Sequence, residues 1–132
     1  MRTKFINAMV TGLSLMIMGT ATFAHHGRAA YDEGNVITLE ATITEFRFIN
    51  PHAQIYFDVI GEDEELQHWK AEITAPNRLS RGGWSKTTLT PGDKVTISGD
   101  HARNGSNAIR VSEIVLSDGT SPPAWSAGIL PP

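Results

Sequence analysis

The 132-residue chain contains no cysteine. That excludes a disulfide framework, a lipid anchor on cysteine and a cysteine nucleophile. There is no surplus of positive charge either: 11 Lys and Arg stand against 14 Asp and Glu, a formal charge of −3. A mildly acidic chain has no basic footprint for nucleic acid or anionic lipid, and on charge alone those partners are set aside. The sequence also lacks a G-x-S-x-G elbow and an H-E-x-x-H pair, which removes two common hydrolase arrangements. Long apolar runs are missing everywhere except at the start.

That first stretch reads as a leader. Arg2 and Lys4 form a basic n-region, Ala8 to Met18 is apolar with breaks at Gly12 and Ser14, and Thr22-Phe23-Ala24 offers small residues for cleavage. The run is short for a membrane span, although a retained anchoring segment is the alternative. The expectation is therefore an exported, periplasmic domain cleaved after Ala24, with no membrane contact afterwards. Residues 25–132 number 108, enough for one small domain. Cleavage removes Arg2 and Lys4 and takes the formal charge from −3 to −5.

Residues 25–35 (HHGRAAYDEGN) read as an arm in which Tyr31 is the one apparent anchor. From Ile37 to Ile43 the odd positions are apolar, the period-two pattern of a half-buried strand. The phase flips at Thr44-Glu45, after which Phe46 and Phe48 carry the apolar face; one extra residue, a β-bulge, does this. Asn50-Pro51 stops the strand. Residues 54–60 and 66–73 alternate again, joined by the acidic GEDEE tip, and the three runs form an antiparallel meander.

Residues 75–84 (APNRLSRGGW) break the pattern and predict a short helical turn with Leu79 inward, ended at Gly82-Gly83. TPGD at 90–93 is a turn signal. A fourth strand holds Val95 and Ile97, residues 100–107 read as a loop, and a fifth strand spans 108–116 with a second phase change before Ile114. Residues 117–132 carry four prolines and read as a tail, with Trp125 or Ile129 as anchors. Three strands, a short helical connector and two strands predict a five-stranded Greek-key barrel of the oligonucleotide/oligosaccharide-binding (OB) type over residues 36–116. An open β-sandwich is the alternative.

In such a barrel the loops between strands one and two and between strands four and five flank one face, and here they place His52 and His101. Processing would make His25 the first residue, with a free α-amine beside its imidazole, and His26 next. Amine and imidazole nitrogens suit Cu(II). All four methionines lie in the leader, which argues against a soft Cu(I) site. The candidate metal ligands are thus His25, His26, His52 and His101, and copper is the candidate cofactor. Each also has a bland reading, as a solvated terminus or an ordinary loop residue. Candidate ligand-binding residues are Tyr56 and His68 on the outer strand face, and Arg78, Arg81 and Trp84 as a lip able to meet an anion or a ring. Trp84 closing the barrel end is the alternative reading. Asp58, Glu72 and Asp93 read better as strand-face or turn residues than as catalytic acids.

Ala24-His25-His26, Asn50-Pro51-His52-Ala53, Trp69 followed by Glu72, Pro76-Asn77 with Leu79, Gly83-Trp84 and Pro91-Gly92-Asp93 together resemble a family of exported bacterial proteins of unknown function. The resemblance covers essentially the whole mature chain. It implies a small periplasmic β-barrel-like domain and brings no established activity. Gly27 departs from the serine expected after the histidine pair. Three functions follow in order: a non-enzymatic module holding a divalent metal, a metal-free ligand- or protein-interaction barrel, and a copper-dependent oxidoreductase.

Overall fold

In a computed structural model, residues 29–123 are described. Five strands, β1 (Tyr31–Arg47), β2 (Gln54–Ile60), β3 (Leu66–Glu72), β4 (Lys94–Ala102) and β5 (Ala108–Leu116), close into a barrel in the order β1-β2-β3-β5-β4. A helix, α1 (Pro76–Arg81), connects β3 to β4. Every pairing is antiparallel except β3 with β5. This is the OB-type Greek-key barrel that the order of elements predicts, and its closure rules out the open sandwich.

The bend in β1 makes closure possible. Residues Val36 to Thr42 pair with β4, and Thr42 to Arg47 pair with β2. The register slips between Ile43 and Glu45, where the hydrophobic phase flips, so Thr44 is the extra residue. A bulge bends and twists its strand, which lets one strand serve both halves of the barrel. The 90–93 turn fastens the bend: the Gly92 N–H donates to the Ile43 carbonyl, and the Ile43 N–H donates to the Asp93 carbonyl, each at 2.8 Å.

Alternation then fills the interior. Ile55, Phe57 and Val59 of β2 and Trp69 and Ala71 of β3 are buried, and Phe57 stacks on Trp69 with centroids 6.4 Å apart. Each large apolar side chain removed from water contributes about 1.5–3 kcal/mol. α1 starts with Pro76, whose fixed φ suits a first helical position, and drives Leu79 into the core. Trp84 follows it inward, its ring meeting Phe46 edge-on at 5.8 Å.

Several boundaries differ from the sequence expectation. β1 begins at Tyr31, which lies opposite Ala102, so the last five residues of the expected arm are strand. The register slips again between Tyr31 and Val36, and Gly34 takes a left-handed φ of +93° there. β4 runs through Ala102, so Asp100 and His101 belong to a strand and not to the predicted loop. A slip between Ser98 and Gly99 extends β4 in register with β5 and accounts for the phase change before Ile114. Pro122 in the tail is fully buried. Trp125 and Ile129 lie outside the described residues.

Candidate functional site on the outer face of β3 and β5

Side chains alternate along a strand, so the partners of an outward residue in neighbouring strands also point outward. Gln54 of β2 lies opposite Glu72 of β3, Glu72 opposite Arg110 of β5, and Arg110 opposite Asp100 of β4. The result is a polar row across four strands, set over a core of Ile55, Ala71 and Ile109.

The first residues of β1 cross this row and are fastened to it. The Arg110 guanidinium donates to Asp100 Oδ2 at 2.6 Å and to Glu33 Oε1 at 3.4 Å. The Gly34 N–H donates to Asp100 Oδ1 at 3.1 Å, and Arg103 Nε donates to the Tyr31 carbonyl at 2.9 Å. Burial alone would raise the Asp100 pKa, but the hydrogen bonds from Arg110 and Gly34 outweigh it and hold the carboxyl below its usual range. The Arg110 guanidinium is held more firmly protonated, chiefly by its hydrogen bond to Asp100.

Tyr31 is buried beside the same row. Burial first, and the nearby Glu72 carboxylate next, push its phenol above the ordinary value, with a smaller opposing pull from Arg110. Glu72 in turn engages Nδ1 of His52. In the neutral tautomer with Nδ1–H donating to the carboxylate, His52 has its Nε2 lone pair free. A carboxylate behind an imidazole in this way orients a metal-binding histidine and raises its basicity. Glu72 therefore acts on Tyr31 at the start of β1 and binds His52 in the turn that follows the end of that strand.

The remaining predicted residues do not converge here. His101 faces inward: its ring lies 5.7 Å from that of Trp69, and Nε2 meets the Ser106 carbonyl at 3.0 Å. It is not a loop ligand beside His52. Tyr56 and His68 do lie on the outer face, but Arg47 covers the Tyr56 ring at 4.8 Å and Tyr56 donates to Gln54. His68 is 81% exposed and bonded through Nδ1 to Asp58 at 2.6 Å. Arg78 and Arg81 are exposed on α1. Trp84 is only 3% exposed, so it closes the barrel and forms no ligand lip. His25 and His26 lie outside the described residues. Among the described residues no three of His, Asp and Glu come together to hold a metal, and no helix is long and apolar enough to cross a membrane.

Closed five-stranded topology with a short connector after β3 defines an OB-fold protein. The chain belongs to a family of unknown function, DUF6152, whose family model matches residues 13–110. No curated protein matches it. Among solved structures it is similar to the mitochondrial single-stranded DNA-binding protein Rim1 of S. cerevisiae, at 9% identity over 66% of this chain and 93% of that one, TM-score 0.47. It is similar to PriB of Ralstonia solanacearum, at 19% identity over 62% and 97%, TM-score 0.40. The N-terminal domain of PriB from Thermoanaerobacter tencongensis matches at 22% identity over 64% and 97%, TM-score 0.41. These likenesses concern the fold. The topology itself corrects one expectation: barrels of the OB type include binders of oligonucleotides, so the exclusion of nucleic acid drawn from net charge is withdrawn.

Proposed function

We propose that this protein is a non-enzymatic periplasmic binding module that holds a divalent metal, copper in preference, through His25, His26 and His52. The observation that carries the reading is the Glu72–His52 pair. It supports His52 as a ligand, because Glu72 takes Nδ1 and leaves Nε2 for a metal. His52 and Glu72 alone do not make a metal site, and the arm must supply the rest. His101 is left out of the ligand set because its ring packs on Trp69.

Copper titration by isothermal calorimetry on protein beginning at His25 tests this. The expected result is one-to-one binding, weakened by His25→Ala and by His52→Ala, and lost when a methionine precedes His25. Binding indifferent to His52 would reduce the site to a histidine-rich terminus and defeat the reading.

A further inference from the structure

At the opposite end of β2 from His52, the β2–β3 hairpin presents an apolar pair. Ile60 and Leu66 lie directly opposite one another across the two strands and are 64% and 55% exposed. Cross-strand neighbours on one face are close enough to act as one surface. The hairpin tip that joins them is Glu62, Asp63, Glu64 and Glu65, all exposed, and no ion pair engages any of them among the described residues.

The edge beside this pair is also open. β3 meets β5 only from Lys70 to Glu72. Asn107 covers the next stretch, accepting from the Lys70 N–H at 3.0 Å and donating to the His68 carbonyl at 3.4 Å. Among the described residues no strand lies on the far side of Leu66 and Gln67. A strand end with one free side, an apolar face and nearby charge is the arrangement by which extended peptides add to a sheet.

We infer that the Ile60–Leu66 pair and the open start of β3 dock an extended segment of a partner protein that carries a large apolar side chain flanked by lysine or arginine. The apolar side chain covers Ile60 and Leu66, and the cations meet the four carboxylates of the tip. The charge of the tip selects this occupant over an acidic one. The inference does not depend on the metal site, which lies at the other end of the strand.

The test uses a fluorescein-labelled five-residue peptide alternating lysine and valine, with glutamate-for-lysine and serine-for-valine versions, titrated into the protein and followed by anisotropy. Saturable binding of the lysine–valine peptide alone is expected, weakened at least fivefold by Ile60→Ser and by Leu66→Lys. Both positions are exposed, and circular dichroism checks that each variant folds. Three results would overturn the inference: no saturable binding, equal binding of the lysine–serine peptide, or binding that ignores both substitutions. A wild-type dimer in sedimentation that either substitution dissolves would overturn it too, by assigning the surface to a second copy of the chain.

Discussion

Asp100 on β4 and Arg110 on β5 stand directly opposite, 2.6 Å apart, and both reach β1: Asp100 through the Gly34 N–H, Arg110 through Glu33. One ion pair thus fastens the first residues of the first strand to the last two strands. Hydrogen bonds to charged groups contribute roughly 1.5–3 kcal/mol, so Asp100→Asn is expected to lower unfolding free energy by about that amount at pH 7. The folded carboxyl sits below its ordinary 3.8. Its contribution is therefore full above the unfolded value and lost as pH falls through the folded one. Urea unfolding of both proteins from pH 7 to pH 2.5 should show the difference shrinking below about pH 4.

Tyr31 supplies a second pH dependence, of opposite direction. Its phenol is held above 10.0 by burial and by Glu72, so the folded state keeps the proton after the unfolded chain has lost it. Stability then declines as pH rises past 10. In a Tyr56→Phe background, ultraviolet titration should report one phenol ionising above 10.0, and Glu72→Gln should bring it down.

Gly99 has no room for a side chain: a Cβ there would lie 2.2 Å from the Arg110 carbonyl oxygen. Backbone on β5 cannot rotate away as a flexible side chain can. Gly99→Ala is expected to cost about 3 kcal/mol or more, at the upper end of overpacking effects. A smaller loss in thermal or urea unfolding would show that the β4–β5 register relaxes.

Removing an outer carboxylate behind a metal-binding histidine weakens affinity on the order of 10–100-fold. Glu72→Gln should therefore weaken copper binding by that factor, while His101→Ala leaves it unchanged. Calorimetry distinguishes the two, and the opposite ranking would move the site to the far end of β4.

Much of the barrel was legible because its devices leave local marks. A bulge flips the hydrophobic phase, and both flips, at Thr44 and before Ile114, match register slips. Leu79 between Pro76 and Gly82 announced a helical turn with one inward residue. The polar row was not legible. Glu72 and Arg110 read correctly as strand positions, but their adjacency needs the parallel β3–β5 pairing, which no periodicity encodes. His101 was misplaced because its polar neighbours read as a loop, although β4 continues through them, with Ser112 of β5 as the extra residue at the register slip. Trp84 offered no sequence mark separating a plug from a lip. Net charge failed differently: it is a sum over the chain, and it does not say what one face of a barrel meets.

The narrow parallel join between β3 and β5 sets how this ring comes apart. Every other seam is stitched along most of a strand, while this one rests on Lys70–Glu72 against Ala108–Arg110. Opening there unrolls the barrel into a single curled sheet with β3 at one margin and β5 at the other. Glu72 and Arg110 sit on that seam, so the same rupture parts the His52 end of the polar row from the Asp100 end. The integrity of the ring and the continuity of its surface chemistry are one event.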